Sequence, residues 1–556
     1  MLEHIHWWQN GVIYQIYPRS FQDSTGSGTG DIQGIIQRLD YLQWLGVSAL
    51  WLTPIYRSPQ VDNGYDVADY RAIDPDFGTM ADFEQLVAEA HVRDMRIIMD
   101  MVFNHTSTAH AWFQAAQDRS SPWRDFYIWR DGVAGNPPNN WHSKFGGSAW
   151  QWHEASAQYY LHSFAPEQAD LNWENPLVRE ELKAICHFWA DKGVDGLRLD
   201  VINLVSKHPD FPDDHEGDGR RYYTDGPAIH QFLQEMSRDV FQPRGLMTVG
   251  EMSSTSLAHC QRYAQLDGQE LSMTFNFHHL KIDYPAGNKW ARGTPDIVGL
   301  KRLFSEWQQG MHNQAWNALF WCNHDQPRVV SRFGDDGEYR VVSAKMLATA
   351  LHFLQGTPYV YQGEELGMTN PGFDSIEQYR DVETLNIFRL KRDAGESEAS
   401  SMAAIMQKSR DNGRTPMQWN SQANAGFSRG EPWIGIPANA AHINVENQLD
   451  DPDSVLHHYR ALIALRRREP LIQQGVYRPL LQDHPNVWAY LREGQGERLL
   501  VLNNFYGTPC EIQLPDQVIN AACEQRLLIS NYTDCPVRTS TVVLRPYESF
   551  VLYLKG

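Results

Sequence analysis

Through the first part of the chain, short apolar runs alternate with amphipathic stretches, and several of the runs finish on a polar or acidic residue. Val12 to Pro18 reads as a strand, with a helix over 32–45; residues 49–54 and 96–104 give a second and a third strand. Five further apolar runs begin near 196, 247, 273, 318 and 357, with helix-like sequence between them. Alternation of this kind predicts parallel strands joined by helices. Eight such units predict an α/β fold of the closed (β/α)8 TIM-barrel type.

Two segments break the alternation. Residues 105–173, after the third strand, are rich in Trp, Pro, Asn and Gly and too long for a connecting loop. They predict a small substrate-binding subdomain inserted at the barrel mouth, so the barrel itself spans 1–104 and 174–474. A second excursion, about 366–450, should overhang the same face. From 475 to 556 the pattern becomes short and β-rich, predicting a C-terminal antiparallel β-sandwich domain.

Where the apolar runs end, the chemistry begins. Gly196-Leu-Arg-Leu-Asp200, Met247-Thr-Val-Gly-Glu251 and the run closing in Asn323-His-Asp325 would each deliver a carboxylate at the C-terminal tip of a strand. Barrels assemble their sites at that end, and paired carboxylates are what glycoside hydrolysis requires. Arg198 lies two residues before Asp200 and so points to the same side, where a cation favours the ionised acid. Asn104-His105 and Asn323-His324 place further polar donors at strand tips, suited to sugar hydroxyls.

Composition narrows the partners. The 556 residues include 19 Trp and 24 Tyr, enough for sugar stacking as well as packing, and carry a net charge of −20. That charge disfavours nucleic acid and anionic membranes. No basic-then-apolar leader and no long apolar run is visible. The six Cys form no C-x-x-C pair, which predicts reduced thiols in a cytoplasmic protein, with a disulfide among Cys510, Cys523 and Cys535 as the lesser alternative. Oligomeric state is left open, a monomer being the simpler expectation.

Taken together and in order, Asp100–His105, Gly196–Asp200, Val249-Gly-Glu251 and Asn323-His-Asp325 resemble the four core motifs of the α-amylase family. Gln168–Pro176 and Ser409–Trp419 resemble segments of its oligo-1,6-glucosidase branch. The resemblance implies Asp200 as nucleophile, Glu251 as general acid/base and Asp325 as transition-state stabiliser, in a retaining reaction. Such a pair should stand about 5–5.5 Å apart, with Glu251 starting protonated and Asp200 ionised. It further implies that Asp62, Tyr65, His105, Arg198, His324 and Arg414 hold the terminal glucose, Phe145 and Phe164 supply stacking surface, and Asp62 pairs with Arg414 across the closed end. Val201, next to the nucleophile, resembles the branch acting on linkages other than α-1,4.

Around the leaving sugar the chain departs from its relatives. Lys281 stands where isomaltase-type relatives carry an acidic residue, with His278 and His279 beside it, Lys289 further on, and Arg220-Arg221 in the loop after strand four. Clustered cations in an acidic protein predict a phosphate site, with Lys281, Lys289, His279, Arg220 and Arg221 as candidates and a small-molecule sugar phosphate as substrate. The alternative is a 1,6-glucosidase without phosphate selectivity. The N-terminal run Asp23–Asp31 matches the family's metal loop but keeps only two carboxylates, Asp23 and Asp31. It predicts weak Ca²⁺ or Mg²⁺ binding, or none; the glycosidase chemistry requires no cofactor.

Overall fold

A computed structural model describes residues 6–519, 524–534 and 540–556. Eight parallel strands form the central sheet: β1 (Ile13–Ile16), β2 (Ala49–Leu52), β3 (Arg96–Met101), β4 (Gly196–Leu199), β5 (Met247–Glu251), β6 (Met273–Phe275), β7 (Ala318–Leu319) and β8 (Thr357–Tyr361). They pair in the order β6-β5-β4-β3-β2-β1-β8-β7, and a parallel bridge between Thr274 and Asn317 joins the two ends into a barrel. All four residues of β2 are buried, as parallel strands covered on both faces require. The helix expected over 32–45 is two, Ile32–Gln37 and Leu39–Leu45. Arg38 interrupts it, donating to Gln22 and lying 4.0 Å over the Trp419 ring.

Residues 105–173 leave and re-enter the barrel as a pair: His105–Ser107 runs antiparallel to Gln168–Asp170. Beyond that base, Trp129–Arg130, Trp150–His153 and Gln158–Leu161 make a three-stranded sheet. The tip packs Trp141, Trp150 and Leu161 against Val201, Leu204 and Tyr223, which follow β4. In the second excursion, helices Val382–Asp393 and Glu398–Lys408 sit over the same mouth.

The C-terminal region is an antiparallel sheet of β9 (Val476–Leu480), β10 (Val487–Gly494), β11 (Glu497–Asn504), β12 (Glu524–Ser530) and β13 (Ser549–Lys555), ordered β9-β10-β11-β13-β12. A second pair, Cys510–Gln513 with Thr541–Leu544, contributes Ile512, Val542 and Leu544 to a core shared with Val487, Leu500 and Leu502. Cys186, Cys260, Cys322 and Cys510 are free thiols; Cys523 and Cys535 lie outside the described residues. Among the described residues no helix is long and apolar enough to cross a membrane.

Candidate active site

Register brings the acids together. β3, β4 and β5 pair with Asp100 opposite Arg198 and Leu199 opposite Gly250, so Asp200 and Glu251 emerge side by side. At Gly250 a Cβ would stand 2.6 Å from the side-chain ends of Leu271 and Met252, which would have to shift to admit it. Arg198, fully buried, donates to Asp100 at 2.8 Å and Asp200 at 2.6 Å, and its other terminal nitrogen reaches Glu251. One guanidinium touching both carboxylates gathers the two acids at one place, as a catalytic carboxyl pair requires. Asp100 is locked beneath by Tyr65 Oη at 2.8 Å and Trp51 Nε1 at 3.1 Å.

Asp325 closes the set from the end of the β7 run. Arg414 donates to it at 2.8 Å and Arg410 at 3.3 Å. Burial alone would raise its pKa; His324, Arg410 and Arg414 outweigh burial and hold the carboxyl well below the usual carboxylate range. Burial pushes His324 down to about 3, so its ring is neutral. Its Nδ1 accepts from the Gln15 amide at 2.8 Å, which leaves the proton on Nε2. That buried Nε2 has no hydrogen-bond partner and lies 3.5 Å from Asp325 Oδ2. It is a buried donor left unpaired beside Asp325, a costly arrangement for a polar group.

These groups surround a cavity of about 720 Å³. Asp200, Glu251 and Asp325 line it with Asp62, Tyr65 and His105, and Phe145 and Phe164 form an aromatic wall, meeting edge to face at 5.4 Å. Arg198, His324 and Arg414 stand behind that lining and act on it through Asp200 and Asp325. Tyr65 stacks on His324 at 5.2 Å. Val201 also faces the cavity, held at φ 36° and ψ 41°, a left-handed conformation that is an outlier for a β-branched residue.

At the outer side of the same cavity are Lys281, Arg220 and Lys289. Arg220 is paired with Asp218 at 2.9 Å and Lys289 with Glu383 at 2.7 Å. Lys281 has no ion-pair partner among the described residues.

Comparison with known proteins agrees with this geometry. Residues 15–475 match the model of the α-amylase catalytic domain, and 487–551 that of the α-amylase SusG C-terminal domain. The chain belongs to the α-amylase family. Within that family it is 64% identical over 544 residues to the trehalose-6-phosphate hydrolase of Escherichia coli (strain K12), covering 98% of each. It is 50% identical to an oligo-1,6-glucosidase of Halalkalibacterium halodurans, again over 98% of both. The crystal structure of Bacillus licheniformis trehalose-6-phosphate hydrolase superposes with a TM-score of 0.95 at 56% identity, covering 99% of this chain and 100% of that one.

Several expectations need correction against this family site. Asp62 does not pair with Arg414: Arg410 takes its Oδ1 at 2.9 Å and Gln168 its Oδ2 at 3.1 Å. Both arginines lie in the segment 409–419 and stand four residues apart, so sequence alone could not choose between them; Arg410 also holds Asp381 at 2.6 Å. His279 is not at the rim. It is buried among Phe304, Phe320 and Trp321, because the short helical turn His278–Lys281 sends neighbouring side chains to different sides. Arg221 points away from the cavity and pairs with Asp214 and Glu216, both at 2.6 Å.

The metal loop is closed by its own donors. Asp23 accepts from the N–H of Thr25, Gly26 and Gly28 and from the hydroxyls of Thr25 and Ser428. Asp31 accepts from Ser24 N and Oγ and, as a helix cap, from Gly34 N. Carboxylates turned this far onto N–H and O–H donors fit a hard cation poorly, since it needs free oxygen lone pairs. Among the described residues no group of three His, Cys, Asp or Glu could hold an ion. Beyond Arg410, sequence reasoning missed Gln168 as a holder of Asp62 and Lys144 in the cavity wall.

Proposed function

We propose that the chain is a retaining α-glucosidase that hydrolyses trehalose 6-phosphate to glucose and glucose 6-phosphate. The observation that carries the reading is the meeting of Lys281 and Arg220 with the three acids on one cavity, in a chain of net charge −20. Cations concentrated against the overall field suit a phosphate on the leaving sugar. The 64% identity to an E. coli enzyme of that name supports it.

In the first displacement a carboxylate oxygen of Asp200 attacks the anomeric carbon as its bond to the bridging oxygen breaks. Glu251 gives its proton to that oxygen, and glucose 6-phosphate departs. The Glu251 carboxylate then takes a proton from water, whose oxygen attacks the anomeric carbon and releases Asp200, leaving glucose. Asp325, held ionised by Arg410 and Arg414, stabilises the positive charge that develops at the sugar ring. The Asp62–Arg410 pair closes the inner end, so one terminal glucose is accepted.

Steady-state rates on trehalose 6-phosphate, trehalose and isomaltose test this. We expect kcat/KM for the phosphorylated sugar to exceed that for trehalose by about two orders of magnitude or more, because cations built for a phosphate are left unpaired by the neutral analogue. Isomaltose as the best substrate would instead favour an oligo-1,6-glucosidase, a second reading supported by the H. halodurans relative at 50% identity.

A further inference from the structure

We infer that Lys144 is a phosphate ligand and sets the preference for a phosphorylated leaving sugar, an inference that rests on the substrate reading above. Lys144 belongs to the inserted segment and no motif marks it. Its backbone is fixed between two anchors: its own N–H donates to Ser163 O, and the neighbouring Ser143 hydroxyl donates to Phe164 O. The side chain lines the cavity that holds the three acids. Its Nζ donates to Ser253 Oγ at 2.9 Å, two positions beyond Glu251, and lies 5.6 Å from the centre of the Tyr223 ring. No carboxylate pairs with it among the described residues.

The surrounding charges leave this ammonium uncompensated. Facing it are Arg220, Lys281, Asp218 and Lys207. Asp218 is taken by Arg220, and Lys207 is neutralised by Asp170 at 2.9 Å. What is left is an excess of positive charge from Lys144, after β3, and Lys281, after β6, with the Arg220–Asp218 pair after β4 between them. An ammonium has three N–H donors, and only one of Lys144's is used. The other two and the Lys281 amine can meet a phosphate's oxygens from different sides of the cavity. The cost of the arrangement falls on the ammonium itself: burial, followed by Arg220 and Lys281, pushes the Lys144 pKa down to about 7. A bound dianion would reverse that shift.

The direction of the pH effect follows. Lys144 is a charged donor below its pKa and is lost as pH rises through it, while the phosphate becomes a dianion above about pH 6. Selectivity, the ratio of kcat/KM for trehalose 6-phosphate to that for p-nitrophenyl α-glucoside, should therefore peak near neutrality and decline on the alkaline side. Lys144→Gln should lower that ratio about 10- to 100-fold, the range of a lost charge-assisted contact. Lys144→Arg keeps a permanent charge; with Lys281, itself pushed down by burial and Arg220, as the remaining titratable cation, the variant should retain selectivity and move the alkaline decline to higher pH. A ratio unchanged in Lys144→Gln, or an alkaline decline at the same pH in Lys144→Arg as in the wild type, would overturn the inference. A wild-type enzyme with no preference for the phosphorylated sugar would overturn the substrate reading as well.

Discussion

The inner and outer halves of the cavity solve opposite electrostatic problems. Inside, Arg198, Arg410 and Arg414 are each matched to carboxylates: Asp100, Asp200 and Glu251 for the first, Asp62, Asp381 and Asp325 for the others. Outside, Lys281 and Lys144 have no acid paired with them among the described residues, and only Arg220 and Lys289 are balanced. A matched network needs nothing from a ligand but hydroxyl groups and a transition state. An unmatched one waits for an anion. The difference shows how a single pocket can treat one sugar as neutral and its neighbour as charged.

The strongest test of the inner half is Asp200→Asn. It should lower kcat by about four orders of magnitude or more, as loss of a covalent nucleophile does, with circular dichroism unchanged; retention of a tenth of the rate would dismiss the assignment. Arg410→Ala takes the shared partner from the buried Asp62 and Asp381 and should cost about 3–5 kcal/mol in urea unfolding. The exposed Arg221→Ala, read in the same assay, should cost less than about 0.5 kcal/mol; equal losses would erase the distinction between matched floor and surface pairs.

On the outer half, Lys281→Ala should lower kcat/KM for trehalose 6-phosphate about 10- to 100-fold, and Lys289→Ala only about 2- to 5-fold, since Glu383 already balances that charge. A larger loss at Lys289 would move the phosphate toward Glu383. Smallest of all is the response to chelation. With Asp23 and Asp31 occupied by internal donors, EDTA should shift Tm by less than about 1 °C, whereas a bound structural ion would give several degrees.

The barrel and its acids are legible in the sequence; the rim is not. Apolar runs locate all eight barrel strands, because a parallel sheet buried on both faces needs unbroken hydrophobic segments. The catalytic acids follow from the same pattern, since strand register alone brings Asp200 beside Glu251. Loops carry no such rule. Arg220 and Arg221 are adjacent, yet one faces the cavity and the other pairs with Asp214. His279 and Lys281 share one short turn, yet His279 is buried among aromatic rings. Lys144 is invisible in the sequence because nothing in a Ser-Lys-Phe-Gly-Gly stretch distinguishes a solvated lysine from one folded back over Ser253.

The barrel wall is not equally strong all the way round. Its closure between β6 and β7 rests on the bridge from Thr274 to Asn317, with strands of three and two residues, while β3, β4 and β5 are laced by ladders of four registered pairs. The nucleophile and the acid/base therefore hang from a well-laced part of the wall, away from the seam. The loop bearing Lys281 leaves from the seam, where few bonds resist opening. Breathing at that seam would widen the exit taken by the charged product and leave the reacting centre undisturbed.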